Sequence, residues 1–223
     1  MNPLRSLLGR PLPPRVRIVA AELRRFRRPS YLEIGVHTGV LFTHVRAARK
    51  VGVDPEPAIP GWKWWLHPNT ALRGSLVEAT SDEYFDGLEP EAEFDVVFVD
   101  GEHTFEQSLR DVENGLAHLA EGGVVLVHDV NPPSAASALS DPAAAARLPG
   151  GECWCGDVWR TIVWLRAVRD DLEVHTFDTD FGVGVVRRGS SKPLALDGAA
   201  VAALAYGDLE RDRPGLLGLR PPP

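Results

Sequence analysis

Two aspartates and two histidines stand directly after two buried apolar runs of this sequence. Asp100 follows the first run, with His103 three residues later, and His128 and Asp129 follow the second run. Apolar runs of this kind are typical of central parallel strands, whose carboxyl ends meet at one edge of a sheet. Because carboxylate and imidazole groups from neighbouring strands can bind one divalent ion, the pattern predicts a metal site formed by Asp100, His128 and Asp129.

His103 lies in the turn after the first run, where it could take a proton from a ligand. An imidazole with an ordinary pKa of about 6.5 suits proton removal at neutral pH, which makes His103 the candidate general base. The alternative for His103 is a helix cap or an exposed side chain. The alternative for Asp100 and Asp129 is a purely structural hydrogen-bond network, and for His128 a structural role is as well supported as a functional one.

A second group of candidates surrounds the glycine-containing segment 33–39, whose pattern is ExGxxxG. A strand that turns tightly into a helix lets the backbone come close to a ligand. The segment lacks the GxGxxG spacing that seats a pyrophosphate, so a dinucleotide fits it poorly. The carboxylate of Glu33 suits instead a ligand with a cationic amino acid end.

Asp54 closes the next strand, 15 residues after Gly39. A carboxylate at this position can accept hydrogen bonds from both hydroxyls of a ribose. The alternative is an aspartate that simply begins a proline-containing turn. The sequence therefore predicts a nucleoside site beside the candidate metal site.

Alternating helix-like and strand-like segments position these residues. We predict helices at 14–28, 40–50, 76–85, 109–119 and 158–169, and strands at 31–35, 51–54, 71–75, 94–99, 124–127, 172–177 and 183–187. This order implies right-handed crossovers and an α/β fold. We expect a Rossmann-like, doubly wound sheet that is mostly parallel, with an antiparallel C-terminal hairpin.

The length of 223 residues suits one α/β domain with short extensions. We place the domain at 30–189, between an N-terminal helical extension at 1–29 and a C-terminal extension at 190–223. The Ala-, Pro- and Ser-rich segment 132–156 is longer than an ordinary connection, which predicts a mobile loop or lid. Six arginines between positions 15 and 28 are interpreted as the solvated face of the N-terminal helix.

Composition excludes several classes of protein. The net charge of −7 argues against a nucleic-acid partner, and no apolar stretch is long enough for a membrane span. Cys153 and Cys155 are too close in sequence to form a disulfide framework, so we expect a reducing, cytoplasmic compartment. They also lack the second pair of Cys or His ligands that a structural zinc site needs. The N-terminal helix and the tail after Gly189 are candidates for a homo-oligomer contact.

Four segments together resemble the class I S-adenosylmethionine-dependent methyltransferases, over about residues 30–188. They are YLEIGVHTG, VGVDPEP, DVVFVDGEHTFEQSLRDVENGLAHLAEGGVVLVHDV, and GDVWRTIVWLRAV followed by DTDFGVGVV. The resemblance is strongest to a branch that includes macrocin-type and cephalosporin-hydroxylase-type enzymes, which act on natural products and glycans. It implies transfer of a methyl group from S-adenosylmethionine to a hydroxyl of a small, sugar-containing acceptor.

The resemblance also implies roles for individual residues. Cofactor contacts are implied for Glu33, Gly35, Gly39, Asp54 and Asp100, with Ser75 beside the adenine. Metal ligands are implied at Asp100, His128 and Asp129, with His103 as the general base. The family usually has Glu or Asp at the position of His128, and an imidazole there would favour Mn²⁺ over Mg²⁺.

Acceptor-binding side chains are expected where aromatic residues cluster downstream. Trp154, Trp159, Asp157 and the segment 178–184 are the candidates, with simple packing as the alternative. Two other functions remain open at this point. One is a nonenzymatic S-adenosylmethionine-binding module, and the other is a nicotinamide-dependent dehydrogenase, which would require GxGxxG.

Overall fold

A computed structural model describes residues 12–223 and contains one mixed sheet. Its strands are β1 (Ser30–Ile34), β2 (Arg49–Asp54), β3 (Gly74–Glu78), β4 (Phe94–Val99), β5 (Leu119–Val127), β6 (Leu172–Phe177), β7 (Val183–Arg188) and β8 (Leu219–Arg220). They lie in the order β3-β2-β1-β4-β5-β7-β6-β8. The first five strands are parallel, while β7 runs antiparallel to β5 and β6. The predicted α/β fold with its antiparallel C-terminal hairpin is confirmed.

Helices cover both faces of the sheet. They are α1 (Pro14–Leu23), α2 (Val40–His44), α3 (Gly61–Leu66), α4 (Pro68–Arg73), α5 (Ser81–Asp86), α6 (Phe105–Ala117), α7 (Pro142–Ala145), α8 (Trp159–Val168), α9 (Gly198–Ala202), α10 (Tyr206–Arg211) and α11 (Arg213–Leu217). Side chains of α1 and α2 pack on one face, and those of α6 and α8 pack on the other. Within residues 12–223, none of these helices has the length and apolar character to cross a membrane.

The central strands β4 and β5 carry continuous apolar runs at 96–99 and 124–127 because both faces of these segments are buried. In β4, Val97 and Val99 contact the core cluster under α6 and α8, whereas Val96 and Phe98 contact the cluster under α1 and α2. Strands buried on two sides show continuous apolar runs rather than alternation. This explains why β4 and β5 were recognisable from the sequence.

The order of the strands reverses at β1. The chain passes from β1 outward to β2 and β3, and then returns to place β4 on the other side of β1. Ile34 pairs with Val53 on one side and with Val99 on the other. The residues that follow these positions, Gly35, Asp54 and Asp100, therefore reach the same edge, where ligands bind in open α/β sheets.

Several predicted boundaries were wrong. The helix predicted to reach residue 50 ends at His44, and Lys50 lies instead in β2, fully buried. The strand predicted at 71–75 lies at Gly74–Glu78, because α4 begins at Pro68, in the first turn of a helix where proline is favoured, and continues to Arg73. The predicted helix 14–28 ends at Leu23, and the helix predicted to run to 119 ends at Ala117.

The segments outside the central sheet are partly ordered by packing. The predicted loop 132–156 contains α7 and the buried side chains of Ala136, Ser137 and Ala145. At the C-terminus β8 pairs with β6. Residues 1–11 of the predicted N-terminal extension lie outside the described residues. The mobility of 132–156 and the domain limits stay predictions.

Lys50 joins three parts of the fold through its buried ammonium group. Its Nζ donates hydrogen bonds to the carbonyl oxygens of Phe42 and Val45, at 2.6 and 3.0 Å, and to Oγ1 of Thr70 at 2.7 Å. The two carbonyls belong to the C-terminal end of α2, whose last carbonyl groups have no partner within the helix. The lysine therefore fixes the short helix that follows the glycine turn.

We predict that Lys50→Met lowers the free energy of unfolding by about 2–4 kcal/mol, because three buried oxygens lose their donor. Urea denaturation monitored by circular dichroism measures the change. The matched control is Lys192→Met at an exposed position, for which we expect a change within about 0.5 kcal/mol. Equal stabilities of the two variants would contradict this role of Lys50.

Candidate active site

A cavity of about 760 Å³ opens at the carboxyl edge of the sheet, where the strand order reverses. Its walls come from five strand ends and the segments that follow them: residues 33–38, Asp54, residues 79–82, residues 100–103, and His128 with Asp129. Most of the site residues predicted from the sequence therefore share one cavity. Gly39 and Ser75 do not line it.

Gly35 allows β1 and β4 to end in close contact. Its φ is +83°, and a Cβ atom at this position would lie 1.9 Å from the carbonyl oxygen of Asp100. Any side chain would therefore force the strands apart, in addition to straining the backbone. Gly39 has a φ of +66° and precedes α2, so it shapes the turn without facing the cavity.

Glu33 is a buried carboxyl group in the wall of the cavity. Only 2% of the residue is exposed, and Oε2 accepts a hydrogen bond of 2.6 Å from the hydroxyl of Tyr31. Burial raises the pKa of Glu33 to about 8, and the charge of Asp100 contributes, against the opposing effects of Tyr31 and Lys50. A cationic group bound beside Glu33 would restore its ionised form.

Asp54 is held rigidly at the end of β2. Its Oδ2 accepts a hydrogen bond of 2.7 Å from the backbone of His37, and its Oδ1 accepts one of 2.8 Å from the backbone of Glu56. Asp54 thus begins a turn, as one interpretation expected, and it also lines the cavity. Each carboxylate oxygen retains accepting capacity for a ligand hydroxyl.

Residues 79–82, rather than Ser75, form the wall beyond β3. Ser75 is exposed near the start of the strand. Nε2 of Gln107 donates to Oγ of Ser81 and to Oδ1 of Asp82, both at 3.1 Å. A sequence signal for this position exists, because Thr80 and Glu83 form a capping box that marks the start of α5.

Asp100, His103, His128 and Asp129 form one cluster at the ends of β4 and β5. Nδ1 of His128 lies 3.1 Å from Oδ1 of Asp100 and 3.3 Å from Oδ1 of Asp129. Nε2 of His103 lies 3.5 Å from an oxygen of each aspartate. Burial lowers the pKa of His103, but its hydrogen bond with Asp100 and the charges of Asp129 and Asp100 outweigh that effect and raise it.

The two histidines are not equivalent within this cluster. The ligand atoms of Asp100, His103 and Asp129 lie within 4.8 Å of one another, a spacing that fits three ligands around one ion. His128 turns Nδ1 toward the carboxylates and Nε2 toward Arg15 and Asp180, at 3.4 and 3.9 Å. Both ring nitrogens of His128 therefore contact protein side chains, and the role of His128 as a metal ligand stays a prediction.

The backbone at the cluster is strained. Asp129 and Asp180 have φ values of +60° and +53°, in the left-handed region that most residues avoid. Gly156 has a φ of +65°, and a Cβ atom there would lie 1.8 Å from the carbonyl oxygen of His103. The segment after 132 therefore packs directly behind the candidate base.

The residues expected to bind an acceptor take different places. The ring of Trp154 lies 4.9 Å from that of His103, and its Nε1 donates to the carbonyl oxygen of Leu139. Trp159 is 1% exposed in the core, so its predicted contact with an acceptor was wrong. Asp157 accepts a hydrogen bond from the backbone of Phe105 at the start of α6.

Arg15 is the cavity residue that the sequence interpretation misplaced. It was assigned to the solvated face of the first helix, but it lines the cavity and pairs with Asp180. An arginine in an amphipathic pattern carries no signal for a partner 165 residues away. The exposed positions of Arg24, Arg25 and Arg27 agree with the original interpretation.

Residues 32–130 match the family model of a methyltransferase domain. The SAH-bound methyltransferase PaMTH1 of Podospora anserina is similar in structure, at 18% identity and a TM-score of 0.59, over 85% of this chain and 83% of that chain. The O-methyltransferase TomG of Streptomyces achromogenes, involved in tomaymycin synthesis and in complex with SAM, is 17% identical, with a TM-score of 0.56 over 79% and 80%. The SAH complex of an O-methyltransferase from Bacillus cereus is 12% identical, with a TM-score of 0.52 over 85% and 82%. A search of curated proteins gives no match.

The structural similarities, at these identities, establish the fold. The family match covers the segments that build both halves of the cavity, from Glu33 through Asp54 and Asp100 to Asp129. The family and the fold agree with the resemblance seen in the sequence. Residues 32–130, which match a methyltransferase domain, therefore lie within the Rossmann-like fold that the resemblance to class I methyltransferases implies.

Proposed function

We propose that this chain transfers the methyl group of S-adenosylmethionine to a hydroxyl oxygen of a small acceptor. The observation that carries the proposal is the single cavity in which a buried Glu33 and a fixed Asp54 face the cluster of Asp100, His103 and Asp129. A nicotinamide-dependent dehydrogenase is disfavoured because segment 33–39 lacks GxGxxG. TomG and the Bacillus cereus enzyme are both named as O-methyltransferases, which supports transfer to oxygen.

The cofactor fits the cavity by the chemistry of its walls. Asp54 would accept hydrogen bonds from the ribose hydroxyls, and Glu33 would pair with the amino group of the methionine end. The turn at Gly35 leaves room for the backbone to contact the ligand, with Asp100 beside it, while Gly39 shapes that turn. Residues 79–82 take the adenine side, in place of the predicted Ser75.

Methyl transfer to an alcohol requires removal of a proton, since hydroxyl groups have pKa values close to that of water, about 15.7. The acceptor oxygen would form a bond to the methyl carbon as the carbon–sulfur bond breaks, leaving neutral S-adenosylhomocysteine. The hydroxyl proton would pass to Nε2 of His103 in its neutral form. Asp100 and Asp129 hold this imidazole between them and stabilise its protonated form.

Asp100, His103 and Asp129 also fit a divalent cation, and Mn²⁺ suits the imidazole in this set better than Mg²⁺. Such an ion would lower the pKa of an acceptor hydroxyl. Nε2 of His103 cannot serve both as ligand and as proton acceptor. In this arrangement His128 orients the two aspartates instead of joining the ligand set that the sequence predicted.

We further propose that the acceptor is a sugar-containing small molecule and that the protein acts in the cytoplasm. Trp154 supports the first point, because its ring lies beside His103 and aromatic faces pack well against sugar rings. The net charge of −7 disfavours a nucleic-acid acceptor. A nonenzymatic binding module would not need the cluster around His103, whereas a methyltransferase would use it to remove the proton of the acceptor. The presence of the cluster therefore favours an enzyme.

The experiment that tests the function measures methyl transfer from labelled S-adenosylmethionine to a panel of sugars, glycosides and phenols, with and without a chelator. We expect S-adenosylhomocysteine to accumulate only with an acceptor. If the chelator abolishes turnover and Mn²⁺ restores it, His103 acts as a metal ligand. If turnover is unchanged with the chelator, His103 acts as the general base. Cofactor binding without transfer to any acceptor would favour the binding module.

We predict that Asp54→Ala weakens S-adenosylhomocysteine binding at least tenfold, because two ribose hydroxyls lose their acceptor. Isothermal titration calorimetry measures the affinity. Ser81→Ala should weaken binding about threefold, whereas Ser75→Ala, outside the cavity, should leave it unchanged. A larger effect of Ser75→Ala than of Ser81→Ala would restore the original assignment of the adenine side.

We predict that binding of S-adenosylhomocysteine releases a proton from Glu33 below pH 8. Glu33 is mostly protonated there in the free protein because its pKa is raised to about 8, and a bound ammonium group lowers that pKa. The affinity should therefore rise with pH up to about 8 and then level off. Calorimetry in buffers of different ionisation enthalpy counts the protons, and Glu33→Gln should abolish the release. Unchanged release in this variant would assign the proton to another group.

We predict that His103→Ala lowers kcat by about 10²–10⁴-fold, the usual contribution of a positioned general base. The affinity for S-adenosylhomocysteine should change less than about threefold, since His103 faces the reacting atoms. Parent activity should rise with pH through the raised pKa of His103, because only the neutral imidazole accepts a proton. Unimpaired turnover by His103→Ala would remove this residue from the mechanism.

A further inference from the structure

The first described helix reaches the active site through an ion pair. Nη1 of Arg15 lies 2.9 Å from both carboxylate oxygens of Asp180, and the backbone N–H of Arg15 donates to Oδ2 at 3.0 Å. Asp180 belongs to the loop between β6 and β7. The side chains are 21% and 9% exposed, so the pair is shielded from most of the solvent. Three contacts to one carboxylate fix its orientation.

The ion pair continues into the candidate reaction centre through His128. Nη1 of Arg15 lies 3.4 Å from Nε2 of this histidine. The opposite ring nitrogen, Nδ1, lies 3.1 Å from Asp100 and 3.3 Å from Asp129. A continuous set of polar contacts thus joins α1 to both carboxylates that flank Nε2 of His103.

The backbone of Asp180 is strained. Its φ of +53° is unfavourable for a residue with a side chain, and such strain persists only where surrounding contacts enforce it. The interactions with His128 and Arg15 overcome the effect of burial and lower the pKa of Asp180 to about 2, so that it stays ionised. The contacts of Asp180 with Arg15 and His128 are therefore specific constraints on the loop.

We propose that Arg15 is a positioning residue of the active site, acting through Asp180 and His128 to aim Asp100 and Asp129 at His103. The expected effect of Arg15 on kcat rests on the proposed function. Its effect on the position of the His128 ring does not depend on the reaction. Side chains that orient the ligands of a metal site typically contribute about 10–100-fold to metal affinity or activity, and we expect a loss of the same order here. Residue 15 would thus belong to the machinery of the site, although it lies before the first strand.

A second ion pair between the same elements supplies a matched control. Oε2 of Glu22, near the end of α1, lies 2.6 Å from Nη2 of Arg187 in β7. This pair also joins α1 to the hairpin, but neither residue lines the cavity. Glu22→Gln should therefore loosen the docking of α1 as much as Arg15→Gln does, without disturbing His128.

The structural test uses the full chain labelled with ¹⁵N-histidine. Long-range ¹H–¹⁵N spectra report on the ring of His128, which is assigned by comparison with His128→Gln. We expect Arg15→Gln and Asp180→Asn to shift the ring resonances of His128, and Glu22→Gln to leave them unchanged. Unshifted resonances in Arg15→Gln, or equal shifts in Glu22→Gln, would overturn the proposal whether or not the protein methylates any acceptor.

The kinetic test uses an acceptor identified in the labelled-methyl assay. We expect Arg15→Gln to lower kcat about 10–100-fold, with KM for S-adenosylmethionine within about twofold of the parent. Arg15→Lys should recover part of the loss, because an ammonium group restores the charge without the planar fork. A change confined to KM for the acceptor would make Arg15 a binding residue and overturn the positioning role.

A double-mutant cycle tests whether Arg15 and Asp180 act together. If they act through the same path, Arg15→Gln combined with Asp180→Asn should lower kcat no further than the stronger single variant does. If the loss of kcat in the double variant equals the product of the two single losses, Arg15 and Asp180 act independently. This result would contradict a joint action through His128. Glu22→Gln should match Arg15→Gln in any loss of melting temperature while retaining the parent kcat.

Discussion

The close contact between Gly35 and the backbone of Asp100 is the constraint on which the site depends. It brings the ends of β1 and β4 together at the point where the strand order reverses, leaving no space for a Cβ atom. One side of this contact carries the residues suited to a nucleoside, Glu33 and Asp54. The other side carries the cluster of Asp100, His103, His128 and Asp129, so the contact brings both groups of residues to one cavity.

Charge compensation explains the arrangement within that cavity. The carboxylates of Asp100 and Asp129 share the imidazoles of His103 and His128, so a buried pair of like charges is tolerated. Burial of Glu33 outweighs the stabilising effects of the Tyr31 hydroxyl, the Lys50 charge and the Phe42 backbone, and raises its pKa to about 8. The cavity is thus prepared for a ligand with a positive charge at one end.

The strands and site residues that follow from a local sequence pattern were predictable. Residues whose role comes from contacts between distant parts of the chain were not. The apolar runs of β4 and β5 located the cluster around Asp100, because residues 96–99 and 124–127 are buried on both faces and include no polar side chain. The third strand was predicted to end at residue 75 but ends at Glu78, and this three-residue shift moves the wall of the cavity to residues 79–82. Arg15 could not be assigned, because its partner Asp180 is close only in the folded chain.

A crystal structure of the protein with S-adenosylhomocysteine would show directly how the cavity holds its ligand. We expect the ribose to contact Asp54, the amino group to lie beside Glu33, and the sulfur to face the cluster around His103. In-line transfer requires this direction, because the methyl group must lie between sulfur and the acceptor oxygen. A nucleoside bound elsewhere, or a sulfur directed away from His103, would contradict the account.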